Sequence, residues 1–195
     1  NAVVTYTINS GTNQTIPLDA TVSATISMAY TADTTYTLVS VQNPTTLCSQ
    51  LLTGSAVVTV NPIPTATISG TTTICEGDNA TISFTGTPNT IITYTVNNGA
   101  NQQITLGGTG TASITAGYTV STTYTLVSVQ NPVTLCSQSL TGSATITVNL
   151  RPTATISGTT TVCSGDTATV TFTGTPDAVV NYLVNPGTTG SVTLN

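Results

Sequence analysis

Apolar and polar residues alternate with period two along most of the chain, Gly, Asn and Pro mark its turns, and a long segment recurs at a fixed interval. These three observations predict an all-β protein of tandem β-sandwich domains. The segment Pro64-Thr65-Ala66-Thr67-Ile68-Ser69-Gly70 returns as Pro152-Thr153-Ala154-Thr155-Ile156-Ser157-Gly158, a spacing of 88 residues. Cys48 returns as Cys136 and Cys75 as Cys163 at the same spacing. Solenoid coils repeat every 20–50 residues or so, whereas a period near 88 suits a small domain. The expected organisation is residues 1–63 as the later part of one repeat, 64–151 as a complete repeat, and 152–195 as the first part of the next, a section of a longer array.

Within the complete repeat the alternation predicts strands at 65–69, 80–85, 91–96, 102–106, 111–116, 122–129 and 143–148. Turn residues separate them: Glu76-Gly77-Asp78-Asn79, Gly86-Thr87-Pro88-Asn89, Asn97-Asn98-Gly99, Gly107-Gly108 and Gln130-Asn131-Pro132. Asn98-Gly99 is the clearest hairpin signal, because both residues tolerate positive φ. Its counterparts, Ser10-Gly11 and Pro186-Gly187, keep the glycine. Seven short strands in one repeat point to a sandwich of the immunoglobulin-like type.

The counterparts also propose a core. Ile92, Tyr94 and Val96 correspond to Val4, Tyr6 and Ile8, and again to Val180, Tyr182 and Val184. Spacing by two puts each set on one face of its strand. Ile82 and Phe84 correspond to Val170 and Phe172, and Tyr124 and Leu126 to Tyr36 and Leu38. Tyr124 leads the sixth predicted strand, where a tyrosine corner buries its ring and satisfies a backbone group with its hydroxyl. Tyr118 and its counterpart Tyr30 fall between strands and are expected to be the exposed aromatics.

Only a few residues separate one repeat from the next, as in Asn149-Leu150-Arg151-Pro152-Thr153 and Asn61-Pro62-Ile63-Pro64. Proline confines such links to extended conformations. Strands of about seven residues rise roughly 24 Å, so each domain with its loops adds about 35–40 Å to a rod laid end to end.

Charge is nearly absent. Arg151 is the one basic residue against six acidic ones, and charged residues make up 4% of the chain. Nucleic-acid binding and docking on an anionic membrane both need clustered Lys and Arg, so both classes are excluded. No apolar run reaches the roughly 18 residues of a membrane-spanning helix. Thr takes the place of charge, at 50 of 195 positions. It is β-branched, favours strands and keeps an exposed face hydrated at any salt concentration or pH. A trypsin-like protease finds only Arg151.

Four cysteines and no histidine disfavour zinc, which takes closely spaced Cys and His ligands. The same lack of histidine removes the base that would activate a nucleophilic Cys. A disulfide framework is the better reading, and it implies an oxidising, extracellular compartment. Within the complete repeat the pair is Cys75–Cys136, with partners for Cys48 and Cys163 outside the fragment. Strict alternation of strands counts against that pair, because it puts the two at opposite poles. Cys48–Cys75 with Cys136–Cys163, and unpaired thiols, stay open.

No catalytic constellation is present, and no cofactor or metal site is expected. Glu76 and Asp78 form a close acidic pair, but Ser164 replaces Glu76 in the next repeat and leaves Asp166 alone. A calcium site needs six or more oxygens, so the pair reads as a capped Gly turn. The chain has no Lys for an intramolecular Lys–Asn isopeptide bond. Asp33-Thr34-Thr35 and Asp166-Thr167-Ala168 resemble the Asp-Thr-small/apolar O-glycosylation sequence of Bacteroidota, with Thr34 and Thr167 as the acceptors. Asn13-Gln14-Thr15 and Asn79-Ala80-Thr81 fit the N-linked pattern.

The segments Thr73-Ile74-Cys75-Glu76-Gly77-Asp78, Thr123-Tyr124-Thr125-Leu126-Val127-Ser128-Val129 and Leu140-Thr141-Gly142-Ser143-Ala144-Thr145-Ile146-Thr147-Val148 carry a resemblance. They are similar to the immunoglobulin-like or PKD-like repeats of very large Bacteroidota surface proteins, among them gliding-motility adhesins of the SprB kind exported by type IX secretion. The resemblance covers essentially the whole chain. It implies a non-enzymatic stalk that holds an adhesive tip away from the outer membrane, in an extracellular filament attached to the cell surface. The paired cysteines of that family favour Cys75–Cys136. Expected partners are neighbouring repeats, surface glycans or other filaments. Two further readings are a multivalent glycan-binding array and a subunit that polymerises by donating a strand. The scarcity of exposed aromatics argues against the former.

Overall fold

The computed structural model describes residues 1–185 and 187–195. The described residues are all-β and fall into two compact units, Asn1–Ile63 and Pro64–Asn195. Pro186, part of one expected hairpin turn, lies outside the described residues.

In the first unit, β1 (Val3–Ile8), β2 (Asn13–Pro17), β3 (Thr34–Gln42), β4 (Ser49–Leu51) and β5 (Ser55–Val58) form one antiparallel sheet. Its order is β2-β1-β3-β4, with β5 also paired to β3. The second unit begins with the complete repeat. Its strands are β6 (Ala66–Ser69), β7 (Thr72–Cys75), β8 (Asn79–Gly86), β9 (Ile91–Val96), β10 (Gln102–Thr105), β11 (Thr111–Gly117), β12 (Thr122–Gln130), β13 (Ser137–Ser139) and β14 (Ser143–Asn149). One sheet runs β11-β8-β6 and the other β10-β9-β12-β14-β7, with β13 on β12. The sheets face each other across a core containing Ile82, Phe84, Ile92, Leu106, Val129 and Ile146, each fully buried. Further on, β15 (Ala154–Ser157) pairs with β16 (Thr171–Gly174), and β17 (Val179–Val184) pairs with β18 (Thr188–Thr193).

The seven expected strands are all present in the complete repeat, with ends displaced by a residue or so. Two more were hidden. Thr72–Cys75 is a strand because the chain changes sheets: β6 pairs with β8, and β7 then lies parallel to β14 in the opposite sheet. Gly70 makes the crossing with φ +115, and a Cβ there would come within 2.4 Å of the Thr81 carbonyl oxygen. The other, β13, is three exposed residues with no alternation to read.

A bulge corrects the face assignment along β12. Thr122, Tyr124 and Leu126 point inward, the register shifts between Leu126 and Ser128, and Val129 rather than Ser128 is buried. The extra residue of a bulge moves the following side chains to the other face. The first unit repeats the device where β1 meets β3, with the shift between Thr5 and Tyr6.

The hairpin turn also sits one residue earlier than expected. Asn97 and Asn98 carry φ of 49° and 57°, and the Gly99 amide donates to the Val96 carbonyl at 2.9 Å. The central pair is thus Asn97-Asn98, as it is Asn9-Ser10 in the first unit. Two residues in left-handed conformation match the twist of the flanking strands. The Asn97 side chain then accepts from the Thr123 amide at 2.8 Å, tying the turn to β12, and Asn9 does the same for Thr35.

The exterior replaces charge with hydroxyl pairs. Thr67 bonds Thr85 at 2.8 Å, Thr81 bonds Thr115 at 2.8 Å, Thr123 bonds Thr145 at 3.1 Å, and Thr155 bonds Thr173 at 2.7 Å. Cross-strand Thr pairs of this kind stabilise a sheet by roughly 0.2–1 kcal/mol each, with no dependence on salt. Among the described residues, no buried side-chain nitrogen or oxygen lacks a partner.

Candidate functional site: the end of the complete repeat

The pole where the complete repeat ends concentrates its charge. β7 finishes at Cys75, opposite Asn149 at the end of β14. The turn after Cys75 is held by four backbone hydrogen bonds. Glu76 donates to the Asn149 carbonyl at 2.8 Å, Gly77 to Tyr118 at 2.8 Å, Asp78 to Cys75 at 3.0 Å, and Tyr118 to Asp78 at 3.1 Å. Arg151, two residues beyond β14, reaches back onto this turn. Its Nε donates to the Glu76 carbonyl at 2.7 Å and its Nη2 to the Asp78 carboxylate at 2.5 Å. The only basic side chain thus clamps the start of the connection to β15 against the domain it leaves. Both partners are about half exposed, so the ion pair contributes at most about 1 kcal/mol. Its effect is on geometry: with Pro152 next in the chain, it restricts the few residues between β14 and β15.

Sequence reading treated Glu76 and Asp78 as a turn and Arg151 as a protease site, and did not join them. The available signal was that the single cation lies at a repeat boundary where its first-unit counterpart is Ile63. Among the described residues, no three His, Cys, Asp or Glu side chains are grouped as metal ligands.

A second recurring feature ties down the last strand. The Ser121 hydroxyl accepts from the Val148 amide at 2.9 Å, and its first-unit counterpart Asp33 accepts from Val60 at 2.7 Å. At the entry to the repeat, Pro64 is fully buried and Thr65 exchanges hydrogen bonds with Thr87. Thr153 and Thr175 repeat that exchange.

Two expectations about tyrosines are corrected. Tyr118 is buried rather than exposed, and its hydroxyl bonds that of Tyr124 at 3.1 Å. Tyr124 therefore satisfies its hydroxyl with a side chain, not with the backbone group of a tyrosine corner. Burial, followed by the Tyr118 hydrogen bond, pushes the Tyr124 phenol up to about 12. The first unit keeps the pair as Tyr30 and Tyr36 at 3.0 Å, and there the Tyr30 hydrogen bond leads in raising Tyr36 to about 12. The Tyr30 ring is half-buried.

The Cys75–Cys136 disulfide is also corrected, since neither cysteine is disulfide-bonded. The strand register gives the reason. Cys75 lies at the pole where β12 begins, because β14 runs from its pairing with Thr122 towards Asn149. Cys136 follows the far end of β12, next to Gln130. The nine residues of β12 put roughly 25 Å between those poles, against about 4.4–6.8 Å between the Cα atoms of a disulfide. Cys136 sits in a tight loop whose Asn131 amide donates to the Cys136 carbonyl at 2.9 Å. Cys48 occupies the matching loop after Asn43, and Cys48 and Cys163 are exposed thiols. An oxidising compartment therefore finds no support in a disulfide of the complete repeat.

Of the acceptor threonines, Thr167 is exposed between β15 and β16. Thr34 opens β3, half-buried, with its hydroxyl bonded to the Ala32 carbonyl at 3.1 Å. Its counterpart Thr122 makes the same bond to Val120 and is buried in the finished sandwich. Asn13 opens β2 and Asn79 opens β8, both exposed. No family model, curated protein or solved structure matches the chain.

Proposed function

We propose that this protein is a segment of an extracellular stalk, a spacer of tandem sandwich domains that carries an adhesive end away from a cell surface. The observation that carries the reading is the clamped boundary, where Arg151 fixes the exit of the complete repeat to its own 75–78 turn. A spacer needs connections that resist bending, and a short Pro-containing link anchored at its first residues supplies one. The uncharged exterior agrees with this role. Paired Thr hydroxyls keep the surface hydrated while leaving it indifferent to ionic strength and pH, and they offer proteases few charged side chains.

Residues 64–151 begin at one pole with Pro64 and end at the other with Arg151, and the stalk reading expects joined repeats to extend along the strand direction. Chains of one, two and three copies of residues 64–151 test this by small-angle X-ray scattering. The stalk reading expects the maximum dimension to grow by about 35–40 Å per repeat, the rise of the strands plus loops. Growth much below that, as for beads on a flexible tether, would contradict it.

A further inference from the structure

The sandwich of residues 64–151 has one long open edge. Among the described residues β11 pairs with β8 and with no other strand. It spans seven residues, whereas β6, β7 and β10, which also end their sheets, span four each. The backbone groups of such a strand point alternately to its neighbour and to solvent. Gly110 and Tyr118, which bracket β11, bond towards the β8 side: the Gly110 carbonyl accepts from Gly86 at 2.9 Å and the Tyr118 amide donates to Asp78 at 3.1 Å. The Thr111 carbonyl accepts instead from Gly107 at 3.0 Å. Ala112, Ile114 and Ala116 therefore serve the ladder with β8, and Ser113, Thr115 and Gly117 direct their N–H and C=O groups outwards.

Proteins guard an open edge with Lys, Pro, a bulge or an inward-pointing charge. β11 has none of these. It reads Thr-Ala-Ser-Ile-Thr-Ala-Gly, and its register with β8 is unbroken. Residues 79–150 include no Asp, Glu, Lys or Arg, so no like charges oppose the approach of a second edge. The strand is also complementary to itself. Reversed about Ile114, it sets Ser113 opposite Thr115, Ala112 opposite Ala116, and Ile114 opposite its own copy. The backbone agrees with that register, because outward-facing Ser113 then meets outward-facing Thr115 and the two can exchange both N–H···O=C bonds. A register shifted by one residue would set an outward-facing residue against one already bonded to β8.

We propose that β11 of one molecule pairs antiparallel with β11 of a second copy, across a two-fold axis at Ile114, joining two three-stranded sheets into one of six strands. On the outer face, the hydroxyl pair of Thr81 and Thr115 at 2.8 Å continues onto Ser113 of the second copy. On the inner face, the half-buried Ile114 side chains meet. The same patch is used on both sides, so the contact closes at two molecules, which run in opposite directions. Paired edges about 24 Å long bury only about 500 Å², below the roughly 1,200 Å² of a stable interface. A dissociation constant of about 0.1–1 mM is expected. The pairing uses β11 alone and does not depend on the stalk reading.

Sedimentation equilibrium of the full chain, from about 20 µM to 1 mM, is the test. The weight-average mass should rise with concentration from monomer towards dimer. Ser113→Pro removes an outward donor from each of the two Ser113–Thr115 pairs and should weaken association at least about tenfold. Ser113→Asp with Thr115→Asp sets carboxylate against carboxylate and should do the same, as should Ser113→Lys with Thr115→Lys. All these side chains lie on the exposed face, and the thermal transition of each variant checks its fold. Mixing the Asp pair with the Lys pair opposes unlike charges and should restore a dimer that neither forms alone. A wild-type chain that stays monomeric to 1 mM overturns the proposal. So does association of unchanged strength in Ser113→Pro or in the Asp pair, or a mixture that forms no dimer.

Discussion

Equivalent positions in different repeats allow an internal comparison of buried and exposed side chains. Ile82 is fully buried between the sheets of the complete repeat, whereas its counterpart Val170 is 54% exposed. Truncating Ile82 to Ala removes methyl and methylene groups that contact the core around Phe84, Ile92 and Leu126 and leaves a cavity. Such a change costs about 2–5 kcal/mol, and about 3 kcal/mol lowers the melting temperature of a domain this size by roughly 15 °C. Val170→Ala removes exposed surface and should shift stability by less than about 0.5 kcal/mol. Differential scanning calorimetry of the full chain separates the two. A large drop for Ile82→Ala with no change for Val170→Ala is expected. Equal destabilisation by both, or tolerance of Ile82→Ala, would refute the assignment of the core to residues 64–151.

Three further outcomes follow from the geometry. Tyr124 ionises near 12 in the folded state against an ordinary 10.0, so the folded protein holds that proton more tightly. This stability is complete below pH 10 and is lost as pH rises towards 12; melting temperature measured against pH should fall across that window, and less so in Tyr118→Phe, which lacks the second cause of the shift. Gly86→Ala would place a Cβ within 2.2 Å of the Thr65 carbonyl oxygen, forcing β6 away from β8, and denaturant titration should show a loss of about 1–3 kcal/mol or more. Arg151→Ala should change the stability of the complete repeat by less than about 1 kcal/mol, yet raise the mobility of residues 150–153 in NMR relaxation; unchanged relaxation would show that the clamp does not restrict the junction.

Alternation and the internal repeat made most of the sandwich legible from the sequence. Ile82, Phe84, Ile92, Tyr94 and Leu126 were assignable because spacing by two and apolar substitution among counterparts mark a buried face. The features that escaped are those where period two is interrupted. The bulge near Val127 sends Val129 inward, and the crossing at Gly70 turns Thr72–Cys75 into a parallel strand that no local pattern announces. The Asn97-Asn98 turn was displaced by one residue because Asn-Gly is the stronger signal in sequence alone, whereas the backbone hydrogen bond from Gly99 to Val96 fixes the centre one position earlier.

Tyr118 was misread, and the partners of Arg151 were missed, for a different reason. Each lies outside a strand, where sequence gives no face: Arg151 is fixed by Asp78, 73 residues away, and Tyr118 by backbone hydrogen bonds with Gly77 and Asp78 as well as by the Tyr124 hydroxyl. The cysteines show the reverse. The strand order already argued that Cys75 and Cys136 occupy opposite poles, and the register shows that separation, against the pairing that both the disulfide reading and the resemblance favoured.

The central claim is that residues 64–151 bury their core between their own two sheets, while the counterpart side chains Leu38, Ile156 and Val170 stay exposed. Hydrogen–deuterium exchange of the full chain at low micromolar concentration, read by mass spectrometry, tests this most directly. Amides of β8, β9, β12 and β14 should exchange only through global opening, while β1, β3, β16 and β17 exchange faster by orders of magnitude. Equal protection of all three segments under these conditions, or rapid exchange within β8 and β12, would contradict the account.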